Sequence, residues 1–225
     1  MRPIPRSGGF TLVEVLVALF IMAILAGMAW QGVDGIVRAR DASQARLEQT
    51  LRLNTLIAQW EQDLAAVQQS TSVPALTFDG ASLRITRRAA RGLQLVVWSR
   101  RPGADGTPAG ASWMRWAGPP VTTSAELQES WMRTQQFQGN EAGQLQALSG
   151  LAQWQVYCFR GNAWSNCQSS GDKALPEPAS PAASGAPTPV REALPTGVRL
   201  VLEFAEGSGM SGSLTRDVAL GPQWP

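Results

Sequence analysis

The stretch Gly9-Phe10-Thr11-Leu12-Val13-Glu14-Val15-Leu16-Val17-Ala18-Leu19 decides how the rest of the chain is read. It opens an apolar run that continues to Trp30 with Glu14 as its single charge. At a rise of 1.5 Å per residue, about 20 helical residues cross the hydrocarbon core of a bilayer. The run therefore predicts a transmembrane helix over 10–30. Arg2 and Arg6 precede it, and Arg38 and Arg40 follow it. Basic residues at both ends leave the positive-inside rule little to decide.

Three readings of this N-terminus compete. A secretory signal peptide has a shorter apolar core followed by a small-residue cleavage site; this run is long, and the small residues after it are poorly placed for cleavage. A plain single-span anchor explains the length but not a carboxylate in the first turns of the span. A charge at the centre of a membrane helix costs roughly 2.5–3.5 kcal/mol, and less towards the edge, so such residues usually have a role. Taken together, Gly9 to Leu19 resemble the type IV prepilin signature, the third reading. In that family a membrane peptidase cuts on the cytoplasmic side after the glycine and methylates the new N-terminus. The resemblance implies a leader over 1–9, a cut between Gly9 and Phe10, Phe10 as the N-methylated mature N-terminus, and Glu14 as an assembly residue. It also implies a single pass through the bacterial inner membrane, with the N-terminus cytoplasmic and the C-terminal head in the periplasm.

Physical chemistry fits this reading. A glycine before the cut leaves the backbone open to a protease. The new amine is a cation beside hydrocarbon, and a carboxylate on a neighbouring subunit neutralises it. Either charge alone would be costly there. Loss of the leader removes two of the 19 basic residues, leaving 17 against 17 acidic ones.

Outward from the span, the helix is expected to continue over 31–70 as a periplasmic extension. Gly27, Gly32 and Gly35 each cost about 1 kcal/mol against alanine, a weak point at which bending or partial melting is expected. Leu53, Ile57, Trp60, Leu64 and Val67 repeat at a 4-3-4-3 spacing, the mark of a helix face that packs on a sheet. The part through Arg38, Arg40, Asp41 and Arg46 is expected to be more exposed. Ser70, Thr71 and Pro74 are the expected stop.

From 71 to 225 the pattern is that of a β-rich head. Asp79-Gly80 signals a turn. Leu83-Arg84-Ile85-Thr86-Arg87 alternates like a half-buried strand. Further strands are expected at Gly92–Trp98, around Trp113 and Trp116, at Trp131–Phe137, at Trp154–Phe159, at Val198–Phe204 and at Ser213–Leu220, with a loop over Pro102–Gly110. The segment Ala174–Pro189 is rich in Ala, Pro and Ser and is expected to be a disordered loop within the head. Cys158 and Cys167 bracket Gly161-Asn162, whose turn would bring the sulfurs together as a disulfide; free thiols or a soft-metal site are the alternatives.

Composition narrows the function classes. The chain has no histidine, which removes the commonest general base and metal ligand. The net charge of +2 is too balanced to point to nucleic acid. The sequence offers no metal-ligand spacing, phosphate loop or nucleophile elbow. Nine tryptophans invite a stacking site, but their spread over strands favours core positions.

Several further stretches resemble the J-class minor pseudopilins of type II secretion systems. They are Leu194-Pro195-Thr196-Gly197-Val198-Arg199-Leu200-Val201-Leu202, Gly212-Ser213-Leu214-Thr215-Arg216, Gln31-Gly32-Val33-Asp34-Gly35-Ile36 and Leu83-Arg84-Ile85-Thr86-Arg87-Arg88. The cysteine pair and the proline-rich loop are not features carried from that class. The resemblance implies an α+β, type IV pilin-like fold, with a long N-terminal helix packed on an antiparallel β-sheet head. It implies a subunit of the pseudopilus tip complex that initiates assembly for protein export, not an enzyme. Its expected partners are the prepilin peptidase, I- and K-class minor subunits, the major pseudopilin and the membrane. No cofactor, metal, nucleic acid or small-molecule substrate is expected. A minor pilin of a true type IV pilus is the alternative, since the N-terminal signature is common to both.

Overall fold

The computed structural model describes residues 9–103, 110–137, 141–168 and 194–221. The order is helix α1 (Leu12–Ala65), strands β1 (Leu76–Phe78), β2 (Ser82–Arg88), β3 (Leu93–Arg101) and β4 (Ser112–Ala117), and helix α2 (Ser124–Gln135). Strands β5 (Leu145–Ser149), β6 (Leu151–Arg160), β7 (Ala163–Asn166), β8 (Gly197–Phe204) and β9 (Ser213–Ala219) follow. All the strand pairings are antiparallel. The fold is α+β and type IV pilin-like, as expected. The chain divides into two compact units, Met1–Thr50 and Leu51–Pro225.

Helix α1 is 54 residues long and passes through Gly27, Gly32 and Gly35 without losing a helical residue. The expected melting at the membrane exit is absent. The flanking residues, mostly Ala, Leu, Met, Ile and Val, carry the helix across the three glycines. The helix also stops earlier than expected, at Ala65 rather than near 70. Here β2 takes over the backbone: the Arg88 N–H donates to the Ala66 carbonyl at 2.7 Å, and the Gln68 N–H to the Thr86 carbonyl at 2.9 Å. Residues 66–68 find their partners on a strand, so the helical ladder has no reason to continue.

The first sheet runs β1-β2-β3-β4-β5 and the second β7-β6-β8-β9. They meet at Gly150, between β5 and β6. Gly150 has φ +76°, and a Cβ there would lie 2.4 Å from the Ser208 Cβ. Its carbonyl accepts the Ala205 N–H at 2.9 Å, while Leu151 donates to the Ala111 carbonyl at 3.0 Å. Only glycine fits that close, left-handed corner.

The C-terminal turns of α1 form the centre of the head. Trp60 and Leu64 are buried, with Leu53, Leu56 and Ile57 packed alongside, so the predicted stripe does face the sheets. The Trp60 ring lies 5.5 Å from Trp98, 5.6 Å from Trp113 and 6.5 Å from Trp154, which brings both sheets onto one aromatic cluster. Tryptophans 60, 98, 113, 116 and 154 are all buried, in line with the core reading.

Two expectations fail together. Trp131–Phe137 is not a strand; residues 124–135 are α2. Thr123 and Glu126 form a capping box, and Leu127, Ser130 and Thr134 are buried at helical spacing. Trp131 and Phe137 pack on Leu95, Val97 and Trp116, the opposite face of the first sheet from α1. This second layer also overturns the half-buried reading of β2. Leu83, Arg84, Ile85 and Thr86 are all buried, and Arg84 donates to the Thr134 carbonyl of α2 at 3.3 Å. Strands β1, β5 and β7 had no clear signal: they are short, and β5 contains a bulge against β4.

Candidate processing and assembly site

The start of α1 is built by its own sequence. Thr11 precedes the first helical residue, and its carbonyl accepts the Val15 N–H at 3.4 Å. Its hydroxyl accepts the Glu14 N–H at 3.3 Å. Oε2 of Glu14 in turn accepts the Thr11 N–H at 3.1 Å and the Thr11 hydroxyl at 3.0 Å. This is a reciprocal capping box, which satisfies N–H groups left unpaired by the first helical turn. Sequence reasoning assigned Glu14 wholly to a neighbour's amine and missed this local role. The signal was present as Thr11-x-x-Glu14 ahead of an apolar run.

Gly9 and Phe10 lie just outside the helix. A Cβ built on Gly9 meets nothing within 4 Å, so the fold itself places no demand for glycine at that position. Phe10 is 88% exposed. From Leu12 to Val37 the large apolar side chains, Phe20, Met22 and Trp30 among them, are exposed as well. α1 is the single helix among the described residues long and apolar enough to cross a membrane, and no part of its most apolar window is buried within the protein. A solvent-exposed helix of this kind would be severely unfavourable in water, whereas in hydrocarbon its backbone is already satisfied.

The other predicted residues lie in the second sheet. Gly161 (φ +54°) and Asn162 (φ +71°) form a two-residue turn between β6 and β7, with both residues left-handed as a type I′ turn requires. Cys158 and Cys167 are joined by a disulfide with an S–S distance of 2.05 Å. Cys158 is fully buried and Cys167 packs against the same core. The two C-terminal stretches singled out from the sequence are brought together. Leu200, Val201 and Leu202 of β8 pair with Arg216, Thr215 and Leu214 of β9. The Ala174–Pro189 segment lies outside the described residues.

Electrostatics on the head are local. Asp79, in the turn before β2, is pulled two ways. Burial raises its carboxyl, but the Arg84 guanidinium and the backbone N–H groups of Ser82 and Ala81 outweigh this and hold it below the usual carboxylate range. Arg84 reaches it at 2.7 Å. The bidentate Arg199–Asp217 pair, 2.6–2.7 Å apart, lowers the Asp217 carboxyl and raises the Arg199 guanidinium through the same hydrogen bonds.

Asp63 is the one fully buried carboxylate among the described residues, and no sequence signal marked it. It accepts from Arg87 at 2.6 Å, from Arg115 at 2.8 and 2.9 Å, from the Trp98 indole at 2.8 Å and from Gln59 at 3.0 Å. With every lone pair occupied, it fastens α1 to three strands.

Residues 4–30 match the model for the prokaryotic N-terminal methylation motif. No curated protein matches the chain. A motif of this type implies processing by a prepilin peptidase and assembly with other pilin-like subunits in a membrane. The motif and the fold together support a type IV pilin-like protein.

Proposed function

We propose that the chain is a minor pseudopilin of a type II secretion system, in the tip complex that initiates pseudopilus assembly. The observation that carries this reading is the joining of a prepilin-type N-terminus to a head whose last two strands, β8 and β9, hold the stretches resembling the J class. The subunit acts through binding surfaces, with I- and K-class subunits and the major pseudopilin as partners, and performs no chemistry of its own. Residues 1–9 are the leader, 10–30 the membrane span, 31–70 the periplasmic extension and 71–225 the head. Prepilin peptidase cuts after Gly9 and methylates Phe10. Both local bonds of the Glu14 carboxylate end on Oε2, so Oε1 carries the contact to the amine of a neighbouring subunit. The deciding experiment is deletion of the gene, with exoprotein secretion and surface piliation measured side by side. Loss of secretion with pili intact is the expected result. Loss of pili, motility or DNA uptake with secretion intact would make it a minor pilin of a type IV pilus.

A further inference from the structure

The two sulfurs of the disulfide stand in unequal places. Cys158 lies on β6, which has β7 on one side and β8 on the other. Its Cα partners are Ser165 of β7 and Val198 of β8. Cys158 is 0% exposed and sits in one core with buried Val156, Val198 and Leu200. Cys167 is half-buried and follows Asn166, the last residue of β7, a four-residue strand at the end of the sheet. The turn end of β7 is well held. The Trp164 ring lies 5.2 Å from the Phe159 ring, and the Arg199 guanidinium stands 4.2 Å from the centre of the same indole. At the other end the Cys167 N–H donates to the Val156 carbonyl at 3.2 Å, and the disulfide supplies the covalent tie. Without that tie, the part of the hairpin that opens first is the end carrying Cys167, while Cys158 stays in the core.

Thiol–disulfide exchange needs an accessible thiolate, and apolar burial both raises a thiol's pKa and keeps an incoming disulfide away. The chain's two cysteines are both used in the bond, so the oxidant is another molecule. We infer that the head is completed by exchange with an external disulfide that reacts at Cys167, and that Cys158 is the resolving thiol. The Cys167 thiolate attacks one sulfur of the donor disulfide. The donor's S–S bond breaks, its other sulfur leaves as a thiolate, and a mixed disulfide joins Cys167 to the donor. The Cys158 thiolate, brought alongside by the Gly161-Asn162 turn, then attacks the Cys167 sulfur and expels the donor's remaining sulfur. In total, two protein thiols give up two protons and two electrons, and the donor disulfide becomes two thiols. A protein thiol oxidase and oxidised glutathione both carry this chemistry. The order of the two thiols does not depend on which machine the subunit serves.

The test uses the full-length protein in the producing bacterium. Cells are quenched in acid, free thiols are alkylated, and disulfide-linked adducts are separated without reductant and identified by mass spectrometry. Cys158→Ala, which keeps the core position apolar, should retain an adduct on Cys167. Cys167→Ser, which leaves Cys158 alone, should retain at least tenfold less. A protein adduct identifies a thiol oxidase as the donor, and a glutathione adduct the small disulfide; either supports the order. A second measurement needs no substitution. Wild-type protein in detergent is treated with dithiothreitol until both thiols are free, then exposed to substoichiometric iodoacetamide. Cys167 should carry at least tenfold more label than Cys158. Equal labelling of the two cysteines, or a preference for Cys158, overturns the inference. So do equal adducts on the two variants, or no adduct on either.

Discussion

Glu14 shows how a single residue serves two settings. Within the chain it closes the first turn of a helix apolar enough to cross a membrane, using the N–H and hydroxyl of Thr11. In the proposed assembly it also meets a cation on the next subunit. Glu14→Ala should therefore reduce crosslinking to partner subunits and secretion while leaving the thermal melt of the head unchanged. Full secretion with undiminished crosslinking would remove the carboxylate's assembly role. At Asp79 the prediction concerns acid. Its carboxyl is held below its unfolded value, so the stabilisation is fully present above about pH 4 and is lost as pH falls through the folded pKa. Asp79→Asn should lower the melting temperature at pH 7 and flatten its decline between pH 4 and pH 2; an unchanged acid slope would show that Arg84 gains nothing from the ionised form.

Among the elements, α1 was the most legible and α2 the least. The 4-3-4-3 stripe ending in Trp60 and Leu64 reads directly because one period runs for several turns against a sheet. α2 carries Trp131 and, just beyond it, Phe137, two aromatics typical of strands, and its helical signal lies instead in the Thr123–Glu126 box at its start. Glu14 carries the same kind of signal, Thr11-x-x-Glu14, whose local bonds are easily hidden behind the unusual placement of a carboxylate in an apolar run. The Asp63 cluster lay beyond sequence reasoning altogether: Arg87 and Arg115 come from strands 24 and 52 residues away, and only the tertiary fold brings them to one carboxylate. Removing one partner of a buried ion cluster costs about 3–5 kcal/mol, because the others are left uncompensated. Asp63→Ala should destabilise the head by about that much in chemical denaturation. A loss below about 1 kcal/mol would mean that water takes the place of the carboxylate.

For the molecule as a whole, the first turns of α1 and the head obey different solvents. Phe10 to Trp30 exposes its large apolar side chains, while the head buries five tryptophans and encloses a disulfide. One chain with both properties can be held in a membrane by a single apolar helix while its head folds in water. In its proposed role the chain is matured at its N-terminus, and intact-mass analysis of protein extracted from the membrane of its own host tests this most directly. The predicted mass lacks Met1 to Gly9 and carries one added methyl group on Phe10. A mature chain beginning near Ala26, or one that retains Met1 in the assembled form, would contradict it.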